Sequence, residues 1–334
     1  MQLYKKCYYL HMKKNNIYPL ENSLEAPILF LIYNRPEITK TTFAQICKIK
    51  PANLFIAADG PKANDPSDKK KCEDTRNILS QINWECNIKT LFREKNLGCG
   101  KAISSSINWF FEHIDAGIIL EDDCFPDITF FNFCSELLDY YKSNEQIMMI
   151  SGDNFQDNIK RGDSSYYFSK YCHVWGWATW KRAWKHYAFN MQRFPDFIKR
   201  KTMNTIFSDI NMRNRWKDIF YDIYKNKIDT WDYQWVYAIF NNNGLSIIPN
   251  LNLVSNIGFG QQATHTTDGS DPYAARQCQS ISEITHPTSI KLDVEADKYT
   301  FYKNYTSPSP SFIKKLRQTI KNSLRDLILT HEAI

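Results

Sequence analysis

The chain reads as an α/β fold: a mostly parallel central sheet flanked by helices. Three observations predict it. Short, almost wholly apolar runs recur, PILFLIYN at 27–34, NLFIAADGP at 53–61 and GIIL at 117–120, as expected of strands covered on both faces. Stretches with helical periodicity separate them. The connections are short, which suits strand–helix–strand units folding onto one sheet.

In chain order, residues 1–25 form a polar, irregular arm. The strand at 27–34 ends at Arg35-Pro36, and Pro36 suits the start of a helix over 38–49. The strand at 53–61 ends on Asp59 and a Gly-Pro turn. A charged loop (62–71), a helix over 72–82 and a strand over 86–94 follow. The turn 96–100 (NLGCG) opens a helix over 101–114, and GIIL then runs straight into Glu121-Asp122-Asp123. Beyond it lie a helix over 128–142 and a strand over 147–152. Residues 171–187 pack four Trp into 17 positions. Residues 194–226 are helical, a helix over 230–244 ends at Gly244, and two short strands surround Pro249. A loop rich in Gly, Thr, Gln and Asp fills 257–273. A Ser/Pro linker (307–310) precedes a basic amphipathic helix over 311–330.

Composition narrows the class. The 334 residues suffice for one large domain or two ordinary ones, and 43% hydrophobic with 23% charged residues is the balance of a soluble globular protein. The net charge of +6 resides at the ends, four Lys against two Glu in 1–25 and six Lys/Arg against two acids in 303–334. A neutral body with basic ends is unlike a nucleic-acid-binding surface. The nine cysteines form no CxxC pair and no zinc-spaced cluster, so reduced thiols and a cytoplasmic location are expected. No apolar run approaches the roughly 18 residues of a membrane span, and the N-terminus lacks a signal-like stretch. The helix over 311–330 reads either as a peripheral contact with the inner face of an anionic membrane or as an ordinary docked helix.

In such sheets ligands bind beyond the carboxyl ends of the strands. Arg35, Asp59, Asn96 and Glu121-Asp122-Asp123 all follow strands, so the topology brings them to one edge. A buried strand ending in three carboxylates calls for positive charge nearby, although acids also end strands because strand ends are wet. Carboxylates without His or Cys favour Mg²⁺ or Mn²⁺, which take one or two carboxylates plus substrate phosphates. Asp59 can accept from a nucleobase N–H or simply start a turn. The turn 97–100, with Lys101 at the helix start, is a weak candidate for anion binding at a helix N-terminus, being neither GxGxxG nor a Walker motif. Asp232 reads first as a helix N-cap; its functional alternative is a general base in an aromatic pocket. His265 is a loop histidine, a metal ligand or a phosphate contact.

Together these pieces resemble a family. The order is a strand ending in Asn34-Arg35, a strand ending in Asp59, the Asn-Leu-Gly turn, LEDD, Gly176-Trp177, Trp231-Asp232-x-x-Trp235 and Phe259-Gly260 through His265. It is similar to GT-A fold glycosyltransferases, of the N-acetylglucosaminyltransferase I type, including bacterial nucleotide-diphospho-sugar transferases. The resemblance spans about 27–270. It implies a Rossmann-like GT-A domain over 26–300, with a nucleotide-sugar half (26–152), an acceptor half (153–300) and a separate tail (301–334). It implies Mn²⁺- or Mg²⁺-dependent inverting transfer from a nucleotide-sugar, a UDP-sugar by family, to a glycan or lipid-linked acceptor in bacterial surface polysaccharide biosynthesis. By resemblance Asp123 is the metal ligand, and Asp122 contacts the donor with Glu121 behind. Arg35, Asp59, Asn96, Lys101 and His265 serve the donor, and Asp232 is the base. Gly176, Trp177 and Trp231 lie near the acceptor, and the 257–273 loop closes over the donor. The family's W-D-D-W continues with an Arg; here Val236 and Tyr237 follow.

Two rivals remain. A sugar-nucleotide nucleotidyltransferase would place a Gly-rich basic loop after the first strand, where this chain has Tyr33-Asn34-Arg35-Pro36. A non-catalytic glycan-binding module would keep the Trp segment without needing both the acidic triplet and Asp232.

Overall fold

A computed structural model describes residues 24–259 and 276–306. Its centre is an eight-stranded sheet in the order β3-β2-β1-β4-β8-β6-β9-β7. The strands β1 (Ile28–Ile32), β2 (Asn53–Ala58), β3 (Asn87–Phe92) and β4 (Ala116–Glu121) pair in parallel. They are linked through helices α1 (Pro36–Ile49), α2 (Pro66–Arg76) and α3 (Cys99–His113). The expected mostly parallel sheet flanked by helices is present.

The second half continues the same sheet. After β5 (Cys124–Pro126) and α4 (Ile128–Tyr140) come β6 (Ile147–Ser151), β7 (Tyr166–Ser169) and β8 (Trp177–Trp180). Strand β8 wedges between β4 and β6, antiparallel to both. Four helices follow: α5 (Lys181–Trp184), α6 (Phe194–Lys199), α7 (Met203–Ile206) and α8 (Ile210–Tyr224). Then come α9 (Asp232–Asn241), β9 (Leu245–Pro249) and β10 (Val254–Asn256). Strand β9 runs parallel to β6 and antiparallel to β7. The chain's last described helix is α10 (Val294–Asn304). It crosses the domain boundary expected at residue 300, and Phe301 packs into the core.

The pleat sorts the core into two layers. From β1, Ile28, Phe30 and Ile32 face α1 and α4, where they meet Phe43, Ile46 and Phe130. Leu29 and Leu31 face the other way, toward Ile107, Phe110 and the cluster built by α8 and α9 around Trp216 and Trp235. Both faces are apolar because both are covered, which is why these strands read as continuous hydrophobic runs.

Of the arm expected over 1–25, residues 1–23 lie outside the described residues, as do His265 with most of its loop and the linker and basic helix beyond 306. Among the described residues, no helix is long and apolar enough to cross a membrane.

Candidate functional site

The four parallel strands deliver their carboxyl ends to one cleft. Its walls are built by Tyr33, Arg35, Asp59, Arg93, Asn96, Glu121 and Asp122, around about 560 Å³. A second cavity of about 530 Å³ adjoins it, lined by Asp123, Trp175, Trp231, Asp232 and Phe259. Arg35, Cys99 and Glu121 border both. The burial of the Cys99 thiol and the charges of Glu121, Asp229, Asp232 and Asp123 all push its pKa up, so these acids converge on one point.

Arg35 organises the acidic triplet. Pro36 takes the first helical position of α1, and Arg35 sits at the cap without capping it, so its side chain is free. The guanidinium pairs with Asp122 through Nη2, donates to Asp122 Oδ2 from Nε at 3.3 Å, and donates to Asp123 Oδ2 from Nη1 at 3.0 Å. Burial opposes the charge on Arg35, but Asp122 and Asp123 outweigh it and hold it protonated. The residue expected to meet the nucleotide thus has a structural task, holding Asp122 and Asp123 together.

The three acids separate by the pleat. Asp122 points to the α1 side, 2% exposed, where Thr39 Oγ1 also donates to it at 3.3 Å. Burial raises its pKa, against the pull of Arg35. Glu121 points the other way and borders both cavities, rather than standing behind its neighbours as expected. The reason is strand alternation: Glu121 follows Leu120 onto the face of Ile119. Its carboxyl is pushed up to about 8 by burial first, then by the charges of Asp123 and Asp122. Asp123 faces the second cavity and is pinned by its neighbours. Its carbonyl accepts from Ile257 N at 2.8 Å, and a Cβ on Gly258 would lie 2.2 Å from its Oδ2. The two-stranded β5–β10 pairing holds that approach.

Among the described residues there is no group of three or more His, Cys, Asp or Glu arranged to hold a metal ion. The donor set therefore does not fit an ion caged by protein alone. It does fit Mg²⁺ or Mn²⁺ held by Asp123 and completed by substrate oxygens, the usual habit of these ions beside phosphates. Burial favours the neutral form of Glu121, so the charge left to offset is that of Asp122 and Asp123, which share the single guanidinium of Arg35.

Asp59 starts the turn, as one of its two sequence readings has it, and it also lines the first cavity. Its Oδ1 accepts from Gly60 N at 2.9 Å and Leu97 N at 3.1 Å. Burial raises its pKa. Asn96 donates to Gly60 O at 3.0 Å and accepts from Gly98 N at 3.2 Å, also at the cavity wall. Lys101 is exposed on the first turn of α3 and lines neither cavity. The anion seat expected at 97–100 is filled by the chain itself: Gly100 N donates to Asp229 Oδ1 at 3.1 Å.

Asp232 opens α9, with Trp231 at the cap position. Its Oδ1 accepts from Tyr233 N at 2.9 Å and from the Thr230 hydroxyl, so it does not cap the helix in the ordinary manner. Among the described residues, none hydrogen-bonds to Oδ2. Trp231 walls the second cavity and stacks on Trp177 at 5.5 Å and 19°. Trp177 itself is 1% exposed, at the heart of the β8 packing, and reaches neither cavity. Gly176 holds φ +71, and a Cβ there would lie 2.8 Å from Val254 Cγ2. These two act through shape. Beside Trp231, the other indole at the second cavity is Trp175, edge-on to Phe155 at 5.1 Å and to Phe259 at 5.7 Å. Val236 and Tyr237, where an Arg was looked for, are core residues.

Sequence reasoning missed Arg93, Lys62 and Asp229. Arg93 was within reach of the strand-end rule, since it follows β3; it donates to Ser106 Oγ at 3.0 Å and Ser105 Oγ at 2.8 Å beside the cleft. Asp229 carries no local signal, because its partner lies 129 positions away.

No protein family model matches the chain, and no curated protein matches it. Solved structures show distant similarity. A 4-diphosphocytidyl-2C-methyl-D-erythritol synthase from Anaerococcus prevotii DSM 20548 aligns with TM-score 0.33 and 8% identity, over 67% of this chain and 88% of that one. A UDP-glucose pyrophosphorylase complexed with UDP-glucose aligns with TM-score 0.25 and 10% identity, over 43% and 62%. The glycosyltransferase GlyE of Streptococcus pneumoniae TIGR4 aligns with TM-score 0.29 and 9% identity, over 66% and 45%. This chain thus spans less than two thirds of the latter two. None of the three is of the N-acetylglucosaminyltransferase I type, so that finer resemblance gains no support from them.

Proposed function

We propose that this chain is a metal-dependent inverting glycosyltransferase that moves a sugar from a nucleotide-sugar, of UDP type, to a hydroxyl of a glycan or lipid-linked acceptor. The observation that carries the reading is the pair of joined cavities. The first, beyond the parallel strands, has the size and the Asp59, Lys62 and Arg93 lining suited to a nucleotide. The second sets Asp123 and Asp232 in one chamber with Trp175.

The chemistry follows from the placement. A nucleotide in the first cavity directs its diphosphate past Arg35 toward Asp123, so the sugar enters the second. The acceptor hydroxyl gives its proton to Asp232 Oδ2, and its oxygen forms the new bond to the anomeric carbon. The bond from that carbon to the diphosphate breaks, and the electron pair leaves with the diphosphate. A single displacement of this kind inverts the anomeric centre, by analogy with inverting glycosidases. A divalent ion on Asp123, when bound, offsets the charge of the departing diphosphate. Trp175 offers an apolar face for a sugar ring. A nucleotidyltransferase is less well served, because the connection after β1 is neither Gly-rich nor free: Arg35 is committed to Asp122 and Asp123.

The test is a panel of nucleotide-sugars with Mn²⁺, read as donor hydrolysis and thermal stabilisation. With the donor so found, Asp232→Asn is expected to keep donor affinity near the parent value while turnover falls at least about a hundredfold. Parent-level turnover in that variant would remove Asp232 from the mechanism. Release of pyrophosphate from a nucleoside triphosphate would favour the nucleotidyltransferase instead.

A further inference from the structure

The amino end of α3 is closed by a carboxylate from far along the chain. Asp229 reaches into the turn around Cys99, and its Oδ1 accepts from Gly100 N at 3.1 Å. A Cβ on Gly98 would lie 2.8 Å from Asp229 Oδ2. A Cβ on Gly100 would lie 2.6 Å from Oδ1 and 2.7 Å from the Thr230 carbonyl oxygen. The approach therefore exists only because both positions lack side chains. A carboxylate there gains a backbone donor and the positive end of the helix.

What this contact holds is the catalytic segment. The Thr230 carbonyl accepts from Gln234 Nε2 at 2.8 Å, the Thr230 hydroxyl donates to Asp232 Oδ1, and the Trp231 carbonyl accepts from the Tyr187 hydroxyl at 3.2 Å. Asp229 lines the first cavity, whereas Thr230, Trp231 and Asp232 line the second. The run 229–232 is thus tied at one end to α3, beside the donor cleft, and at the other to α9.

We propose that Asp229 is a positioning residue: by occupying the amino end of α3 it fixes Thr230–Asp232, and so the Asp232 carboxylate, relative to the donor. The proposal rests on the reading of Asp232 as the base. It is tested in the full chain with Asp229→Ala, Asp229→Asn and Gly100→Ala. The last leaves the charge of Asp229 in place and acts by pushing Asp229, and the Thr230 carbonyl beside it, away from α3.

Hydrogen–deuterium exchange tests the anchor without reference to activity. Asp229→Ala and Gly100→Ala should both speed exchange in peptides covering 98–103 and 228–234, by about fivefold or more, as a local opening is made easier. Asp229→Asn should stay near the parent, since its amide oxygen still accepts from Gly100 N. With UDP-glucose and Mn²⁺, both Ala variants should lose about ten- to a hundredfold in turnover while the Kd for UDP stays within about threefold, the signature of misplacement rather than lost binding. Unchanged exchange at 228–234 in both Ala variants would overturn the anchor. Turnover that falls only in step with UDP affinity, or parent turnover despite faster exchange, would overturn the positioning role. A parent protein that neither binds UDP nor turns over UDP-glucose would count against the proposed function, and the exchange arm would still decide the anchor.

Discussion

Arg35 pairs with two carboxylates, the buried Asp122 and the half-buried Asp123. Removing one partner of such a group leaves uncompensated charge in a poorly solvated place. Arg35→Ala is therefore expected to cost about 3 kcal/mol of stability, measured by urea denaturation at pH 7, and a change below about 0.5 kcal/mol would show that the acids find other partners. Lys should not substitute, since it cannot span both carboxylates with a planar fork. At this scale the sequence was legible in kind and not in direction. A polar residue directly after an apolar run is a local signal, and Arg35, Asp59, Asn96, Glu121 and Asp122 do share one cleft. Which acid faces which cavity depends on the pleat carried past the strand end and on a contact 87 positions apart between Arg35 and Asp122. Neither is written locally.

The elements follow the same division. The strands β1, β2 and β4 and the helices α1 and α3 were legible because covered strands are continuous apolar runs and covered helices keep a 3.6-residue period. The edge strand β3 is largely exposed and shows no such run, and α2, charged and weakly amphipathic, begins at Pro66 inside the stretch expected as a loop, not at residue 72. Strands β7 and β8, of four residues each, are too short to show a period, and the Trp-rich segment hid the second of them. Inserted between β4 and β6, β8 turns Trp177 inward and leaves Trp175, just before it, at the cavity. The connection into β8 also buries His173, whose ring lies edge-on to Phe155 at 4.6 Å. Burial first, and the charge of Arg276 second, hold its pKa down at about 3. A histidine neutral in the fold but free to ionise when unfolded stabilises the fold above pH 6.5 and ceases to as pH falls toward 3. From pH 7 to pH 5 the loss should be about 2 kcal/mol, and His173→Gln should flatten that part of the urea-denaturation profile. An equally steep profile in the variant would place the acid sensitivity elsewhere.

Across the whole molecule, one sheet joins two halves with different tasks. Its parallel half sets strand ends around the first cavity, and the second half brings Trp175, Trp231 and Asp232 to the adjoining one. Between them lie Glu121, Asp122 and Asp123, with Arg35 bridging the latter two and the Glu121 carboxyl pushed up to about 8. Two carboxylates, Asp122 and Asp123, on one guanidinium leave a local negative charge in a chain whose net charge is +6, and that is the physical ground for expecting a cation that arrives with an anionic substrate. The most direct measurement is thermal stabilisation by nucleoside diphosphates (UDP, GDP, CDP), with Mn²⁺ and with a chelator, in the parent and in Asp123→Ala. A diphosphate at a hundred times its Kd should stabilise the parent by about 2.7 kcal/mol when Mn²⁺ is present. The account predicts that this gain disappears with the chelator and in Asp123→Ala. A gain of equal size without Mn²⁺ or without the Asp123 carboxylate, or no gain from any of the three diphosphates, would contradict it.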